Sequence, residues 1–404
     1  MLAQQQGAMR AAHRRAAALP ATAAPRRQRR GALVAAAAQQ QQQSSAAPAS
    51  SGSGGGLDMK AKMEWLKEDL SHLFDDKGVD PDGYDTRVEF LDPITKYSSV
   101  QGYLFNIKFL KLAFTPQFTL HDLRVTGSSE ITTRWTMVMR FNPARALGLA
   151  KFWDPEITFT GTSRYGFNPA NGKINRHIDT WDSIQNQKYF STEAFGDFLG
   201  QVRQRYTTPA GLETPAYTLL RRAADYQVRR YAPFLVAESP LDGVDPSALA
   251  AAPAAPPGGG VSPATAGKAA FGELARYLFG GNAEGRAMKM TTPVLSGTDG
   301  SMAFVIGPGD AQDLSAAPAP AEGAAVALRS DPGGDFAAAV FSGVATPRAC
   351  ADAERALRDA LLRDGLAPAA GWSLARYNDP GVPPARRRNE VLIRLEPGSF
   401  DLWR

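Results

Sequence analysis

The second half of the chain repeats one order of predicted elements, and this repeat limits the folds open to it. Each copy contains a strand or strand pair, then a helix, then two further strands. The first copy has strands at 217–220 and 226–238, a helix at about 269–279 and strands at 289–295 and 302–306. The second has a strand at 336–341, a helix at 349–364 and strands at 373–377 and 390–395. Because one copy alone would expose an apolar sheet face, the repeat predicts a pseudo-twofold, distorted β-barrel flanked by two helices.

The preceding region predicts a different α+β unit. Apolar residues recur on one helical face at Met63, Leu66, Leu70, Leu73 and Phe74, and a second helix is expected at about 99–114. Strands rich in Thr, Val, Ile and aromatic residues follow at 118–125, 131–141, 157–167 and 174–181, and a short helix at 191–204 ends the region. Helices followed by a long antiparallel sheet predict a cone-shaped domain in which a curved sheet wraps round the helices.

The first 57 residues differ sharply in composition from the rest. They contain seven Arg and no Asp, Glu or Lys, and they lack the continuous apolar segment of a secretory signal. This composition predicts an organellar transit peptide, cleaved near 34–38 and followed by a flexible tail. A disordered arm without import is the alternative. The remaining residues carry 38 basic and 40 acidic side chains, so net charge gives no support to a nucleic-acid partner.

The expected domains are therefore 58–205 and 206–404, after a leader at 1–57. Two insertions rich in Ala, Pro and Gly, at 240–267 and 308–334, are predicted to be mobile surface loops. Cys350 is the only cysteine, which excludes an intrachain disulfide and a thiol-based metal cluster.

Several ordered sequence blocks in the second half resemble the SOUL haem-binding family. They include Y-Q-V-R-R-Y-A-P-F-L-V-A-E at 226–238, K-M-T-T-P-V at 289–294, R-Y-N-D-P at 376–380 and R-R-N-E-V-L-I at 387–393. The resemblance spans about 217–395. It implies haem or free porphyrin binding in a shallow apolar groove, against the first helix and the loop between the last two strands.

The first domain carries a softer resemblance. Asp92–Pro93 and the ending G-K-I-N-R-H-I-D-T-W-D at 172–182 are similar to nuclear-transport-factor-2-like domains. More narrowly, residues 59–204 resemble a plant and algal domain of unknown function in that superfamily. The resemblance implies a cone that opens into a pocket.

The SOUL resemblance places the ligand against 268–279 and 382–388. Phe271, Leu274, Ala275 and Leu278 share one helical face and are predicted to be core. The candidate tetrapyrrole-binding residues are Lys268, Gly272, Arg276, Phe279, Arg386 and Arg387. Arg386, Arg387 and the adjacent Arg388 are candidates to meet propionates, because guanidinium pairs well with carboxylate. Solvated loop charge is the alternative interpretation.

Histidine is missing where a haem protein would be expected to use it. His13, His72, His121 and His177 all precede residue 206. Haem iron is usually held by His, Cys, Met or Tyr, so only Cys350, a Met, a Tyr or a Lys remains for this half. The sequence therefore predicts that porphyrin binds by surface burial, without His ligation and with no metal site of its own.

The cone offers a second set of candidates, namely His177, Asp179, Asp92, Tyr165 and Trp181. Strand alternation places His177, Asp179 and Trp181 on one face and Ile174, Arg176, Ile178 and Thr180 on the other. A His beside a carboxylate can act as general base. We favour a structural or solvent-facing His177, because His is common at strand surfaces.

Together these patterns predict a non-enzymatic chloroplast protein of the stroma, thylakoid surface or plastoglobule. Its expected function is reversible haem or tetrapyrrole binding for storage, buffering or transfer, with peripheral association with plastid membranes or lipid bodies. One alternative is a catalytic or small-molecule-binding cone, with the second domain as a scaffold. The other is an interaction protein of plastid lipid bodies.

Overall fold

A computed structural model of the chain describes residues 57–142, 148, 155–204, 206, 208–209, 211–241 and 267–403. The predicted leader up to residue 56 and most of the first insertion, 242–266, lie outside the described residues. Within the described residues, no helix is both long and apolar enough to cross a membrane.

The first domain is an α+β unit built on a six-stranded sheet. Its elements are α1 (Met59–Ser71), β1 (Tyr84–Leu91), β2 (Lys96–Tyr97), α2 (Val100–Ala113), β3 (Phe114–Gly127), β4 (Glu130–Phe141), β5 (Glu156–Phe167), β6 (Ile174–Trp181) and α3 (Thr192–Val202). The strand order is β2-β1-β6-β5-β4-β3, in which β1 and β6 are parallel and the other neighbours antiparallel. The α+β fold with a curved sheet is confirmed.

Side-chain caps explain where these helices begin. Asp58 accepts hydrogen bonds from the backbone N–H groups of Lys60 and Ala61, and Ser99 accepts one from Gly102. Each cap satisfies N–H groups that have no partner inside the helix. The apolar faces of α1 and α2 then bury Leu66, Leu70 and Ile107 against Ile131 of the sheet.

Two features of this sheet differ from the sequence-based expectation. Strand β1 was not predicted, because its polar residues interrupt a clear apolar alternation. On β6, Ile174 lies in the same buried core as Tyr165, although alternation had placed it opposite His177. The register shifts between Gly166 and Phe167, whose partners are Arg176 and Ile174, so a bulge changes the alternation between residues 174 and 177.

The second domain is a nine-stranded sheet with helices on one face. Its elements are β7 (Tyr217–Arg222), β8 (Gln227–Tyr231), β9 (Phe234–Pro240), α4 (Lys268–Leu278), β10 (Val294–Gly297), β11 (Ser301–Ile306), β12 (Ala327–Asp331), β13 (Gly334–Phe341), α5 (Pro347–Arg363), β14 (Ser373–Arg376) and β15 (Asn389–Arg394). The order β12-β9-β11-β10-β14-β15-β13-β8-β7 ends in two edges, so the sheet is a curled half-barrel.

Each helix of this domain covers one half of the sheet, as the repeat predicted. Leu274 and Leu278 of α4 pack with Phe304 and Ile306. Leu357 and Leu361 of α5 pack with Val391 and Ile393 in an equivalent cluster. Among the described residues, no helix covers the opposite, concave face.

The second insertion differs from the expected surface loop. Residues 308–334 contain β12, which pairs with β9, and Ala311 and Ala317 are buried against the core of α4. Tyr277 donates a hydrogen bond to the carbonyl of Pro318 at 2.7 Å. Hydrogen-bonded pairing and these anchors hold a segment that composition alone predicted to be mobile. The predicted strand at 289–295 is also shorter, because β10 begins only after Pro293.

Strand β7 joins the two domains. Arg134 of β4 makes a bidentate ion pair with Asp182 at 2.8 and 2.5 Å, and also donates to the carbonyl of Leu220 at 3.1 Å. Arg222 at the end of β7 pairs with both carboxylate oxygens of Asp197 at 2.9 and 2.8 Å. The first domain is thus hydrogen-bonded to the edge strand of the second sheet.

Candidate functional site

A cleft of about 620 Å³ opens between the start of α4 and the loop that joins β14 to β15. Its wall is largely apolar. The side chains that form this apolar surface are Leu212, Phe271, Met290, Val294, Met302, Pro380 and Val382. A cleft of this size and character can cover a drug-sized or larger flat ligand.

Phe271 forms the helical side of the cleft. It lies in the first turn of α4, and its side chain is 43% exposed. Its ring contacts Phe304 of β11 edge to face, with centroids 5.2 Å apart. The contact fixes one edge of the ring and leaves the rest of it available to a ligand.

Hydrogen bonds between side chains and the backbone hold the loop side of the cleft. Asn378 accepts from the N–H of Arg388 at 2.6 Å. The Arg387 guanidinium donates to the carbonyls of Val382 and Pro380 at 2.7 and 2.5 Å. These bonds close the loop on itself and position Pro380 and Val382 at the mouth.

Arg376 supplies a cationic group in the cleft wall, and its Nη1 donates to Ser296 Oγ at 3.0 Å. Burial lowers the pKa of the Arg376 guanidinium. An arginine remains charged under ordinary conditions, so this group can pair with an acidic substituent on an otherwise apolar ligand.

The family model for SOUL heme-binding protein matches residues 212–394, a range that contains the whole cleft wall except Pro209. Residues 212–394 are thus similar to the SOUL family, and we refer to this part of the chain as the SOUL domain. The similarity supports haem or tetrapyrrole binding in general. A second family model, uncharacterized conserved protein (DUF2358), matches residues 60–177 of the first domain. None of the curated proteins matches the chain.

Solved structures similar to this chain cover about a third of it. An NTF2-like protein of unknown function from Exiguobacterium sp. 255-15 is 15% identical, with 30% of this chain and 99% of that chain covered and a TM-score of 0.24. A putative SnoaL-like polyketide cyclase from Shewanella putrefaciens CN-32 is 12% identical, covering 35% and 96%, with a TM-score of 0.26. An LEH-like epoxide hydrolase from M. tuberculosis is 10% identical, covering 35% and 92%, with a TM-score of 0.26.

The structure places the candidate residues of α4 beside the cleft rather than in its wall. Lys268, Gly272, Arg276 and Phe279 are all exposed, on the outer side of the helix. Arg276 pairs with Glu273 at 3.1 Å, and Phe279 is 63% exposed. Their contact with a ligand stays a prediction.

The predicted core of α4 is partly wrong. Leu274 and Leu278 are buried, whereas Phe271 faces the cleft, and Ala270 and Tyr277 complete the core. Helical spacing identified an apolar face but could not separate the part under the sheet from the part lining the cleft.

The three consecutive arginines have separate positions. Arg386 is exposed, and Arg387 is bound to the carbonyls of its own loop. Arg388 donates to Glu390 at 2.6 Å, and its guanidinium lies 4.4 Å from the centre of the Tyr377 ring. Arg387 and Arg388 are therefore engaged within the protein, and Arg376 is the cleft cation that sequence reasoning missed. Arg376 is the first residue of the R-Y-N-D-P block that carries the family resemblance. The sequence of this block does not show that the Arg376 side chain lines the cleft.

The possible iron ligands are also separated by the structure. Cys350 is fully buried beneath the sheet, and burial raises the pKa of its thiol. Met288, Met302 and Tyr277 are buried in the core around α4. Met302 also lines the cleft, together with Met290 and Tyr377. Among the described residues, no group of three or more His, Cys, Asp or Glu side chains could hold a metal ion.

A second, smaller cavity of about 70 Å³ lies inside the cone of the first domain. All five cone candidates line it, namely Asp92, Tyr165, His177, Asp179 and Trp181. His177 is only 4% exposed, so the interpretation of a solvent-facing histidine is wrong. The β6 bulge and the closed cone direct this side chain inward.

Proposed function

We propose that the SOUL domain binds haem or a related tetrapyrrole reversibly in the cleft between α4 and the β14–β15 loop. The observation that carries the proposal is the position of this cleft, an apolar space of about 620 Å³ beside the helix and loop that the family resemblance implies. One face of the macrocycle would lie on Phe271, Met302 and Val382. Arg376 would pair with a propionate.

Ring burial, rather than iron coordination, would supply most of the affinity. The SOUL domain contains no histidine. Apolar area removed from water contributes about 25 cal/mol per Å², so a flat ring covered on one face can be held without an axial ligand. Partial coverage suits reversible binding for buffering or transfer, because part of the ring remains accessible to a receiving protein.

A haemin titration of the full chain, followed at the Soret band, tests the position of the site. Phe271→Ser should weaken binding about tenfold, because it removes an aromatic wall worth roughly 1–2 kcal/mol. Phe279→Ser is the matched control on the same helix and should change the affinity less than twofold. The reverse order of effects would place the ligand on the outer face of α4, with Lys268, Gly272 and Arg276.

The leader supports a plastid location for this activity. Its acid-free, Arg-rich composition over the first 57 residues is that of an imported protein. The N-terminus of the protein isolated from its host should begin between residues 34 and 57. An intact Met1 would contradict import.

An exposed face of α2 supports peripheral association with an anionic lipid surface. Phe105, Phe109 and Leu112 are 63%, 51% and 78% exposed, and the exposed Lys108 lies between the two phenylalanines. Aromatic and basic groups on one helical face favour the interface of a charged membrane. The full chain should co-sediment with phosphatidylglycerol vesicles, and Phe105→Ser with Phe109→Ser should abolish this. Leu362→Ser on α5, 64% exposed, is the control.

A further inference from the structure

His177 is held in one orientation by a chain of hydrogen bonds inside the cone. The indole N–H of Trp135 donates to Ser163 Oγ at 2.7 Å, and the Ser163 hydroxyl donates to Asp179 Oδ1 at 2.5 Å. His177 Nε2 lies 2.9 Å from the same carboxylate oxygen. A carboxylate can only accept, so the imidazole carries a proton on Nε2, and in its neutral form it presents a lone pair at Nδ1.

That lone pair has no partner. His177 Nδ1 is buried and forms no hydrogen bond with any described residue. Leaving a buried polar atom without a partner carries a free-energy cost, because the atom has lost its hydrogen bonds to water. Since His177 lines the cone cavity, a bound molecule that donates a hydrogen bond there would remove this cost.

The charged residues of the cavity wall indicate which kind of hydrogen-bond donor could bind there. Asp92 and Asp179 line it, whereas no Lys or Arg occurs among the described residues of its wall. Burial and, to a smaller extent, the nearby Asp179 raise the pKa of Asp92 to about 6. The Asp92 carboxylate is therefore buried in a cavity whose described wall supplies no cation to balance its charge.

Aromatic rings complete the wall. Tyr165 and Phe90 lie 4.2 and 4.9 Å from the His177 ring, and Tyr103 lies 5.4 Å from it. All three also line the cavity. Aromatic faces attract cations, and the attraction grows when the cation is removed from water.

We propose that the cone is a second binding site, which takes a small organic cation carrying an N–H group, such as a protonated alkylamine. One N–H would donate to His177 Nδ1, the charge would lie near Asp92, and the alkyl part would lie against Leu73 and Leu110 of the cavity wall. A cavity of about 70 Å³ limits the enclosed part to a few heavy atoms. Acidic ligands such as a porphyrin propionate are excluded by the two carboxylates.

Three probes of equal length test the proposal on the full chain at pH 7.5. n-Butylammonium should bind and shift the indole N–H resonances of Trp135 and Trp181, which both line the cavity. 1-Butanol, a neutral donor, should bind at least tenfold more weakly, and butyrate should not bind. Equal affinity for the alcohol and the amine, or binding of neither, would overturn the cation site.

Two variants localise the effect. Asp92→Asn should weaken butylammonium binding at least fivefold, while the control Asp85→Asn, near the far end of β1, should leave it unchanged. Undiminished binding in Asp92→Asn would contradict the proposal.

Saturation with butylammonium should not alter haemin affinity, because the two sites lie in different domains and take opposite charges. Binding of butylammonium in the cone is itself independent of whether the SOUL domain binds a tetrapyrrole.

Discussion

The Arg229 guanidinium and the Glu390 carboxylate form a bidentate ion pair at 2.7 and 2.9 Å, and neither side chain is exposed to solvent. Their strands, β8 and β15, are both neighbours of β13, so the pair crosses the sheet above a central strand. Val228 and Val391, next to them in sequence, pack towards α5. Alternation therefore directs the ion pair to the opposite, concave face, where Tyr377 donates to Glu390 at 2.8 Å.

Removing the arginine of this pair should destabilise the protein strongly. Arg229→Leu leaves a buried carboxylate short of its main partner, which typically costs about 3–5 kcal/mol. The matched control is Arg230→Leu in the same strand, since Arg230 is 58% exposed and pairs with Asp335 at the surface. Exposed pairs contribute about 1 kcal/mol or less. Urea unfolding should separate the two variants, and similar losses would contradict a stabilising role for the buried pair.

The same pair predicts the pH dependence of stability. Burial would raise the pKa of Glu390, but the neighbouring Arg229 and Arg388 lower it to about 2. Because the folded pKa lies below the ordinary value of 4.5, the ionised form stabilises the fold above pH 4.5 and this contribution disappears as pH falls through about 2. Glu390→Gln should thus cost about 3 kcal/mol at pH 6 and much less at pH 2. A pH-independent difference in unfolding free energy would refute the assignment.

Two glycines around α4 should respond in opposite ways to alanine. At Gly281 an added Cβ would lie 2.7 Å from the carbonyl oxygen of Arg276, whose hydrogen bond from the Gly281 N–H ends the helix. Gly281→Ala should therefore destabilise by about 1–3 kcal/mol. At Gly272, within the helix, a Cβ would meet no atom within 4 Å, so Gly272→Ala should stabilise by about 0.5–1 kcal/mol. Thermal unfolding measures both, and a gain at Gly281 would rule out the crowding.

Local sequence patterns were sufficient to predict most of the helices and strands of the fold. The strand predicted at 174–181 is β6 with the same bounds, and the helix predicted at about 269–279 is α4 within one residue. Strand β12 was missed because its Ala-rich, Pro-rich surroundings resemble a loop, and only pairing with the distant β9 makes it a strand. Such pairing is a property of tertiary structure and leaves little trace in neighbouring residues.

The candidate sites were predictable to different degrees. The five cone residues were grouped because the domains they resemble open into a pocket, and the structure brings them together around one cavity. The cleft lies beside the helix and loop that the resemblance implied, whereas the candidate residues of α4 lie outside its wall and their contact with a ligand stays a prediction. Phe271 repeats at the same helical spacing as Leu274 and Leu278, and spacing cannot show that its ring contacts the sheet through Phe304 yet stays 43% exposed.

Iron should contribute little to the affinity of the SOUL domain for its ligand. If burial of the macrocycle and pairing with Arg376 supply the affinity, metal-free protoporphyrin should bind the full chain within about tenfold of haemin, a gap of roughly 1.4 kcal/mol or less. Arg376→Gln should then weaken both ligands in parallel. Cys350→Ala should change neither, because the thiol is fully buried and does not line the cleft. Fluorescence quenching for the free porphyrin and the Soret band for haemin provide the two affinities. If haemin alone binds tightly, an axial ligand must exist, and Met290, Met302 and Tyr377 in the cleft wall are the side chains to replace.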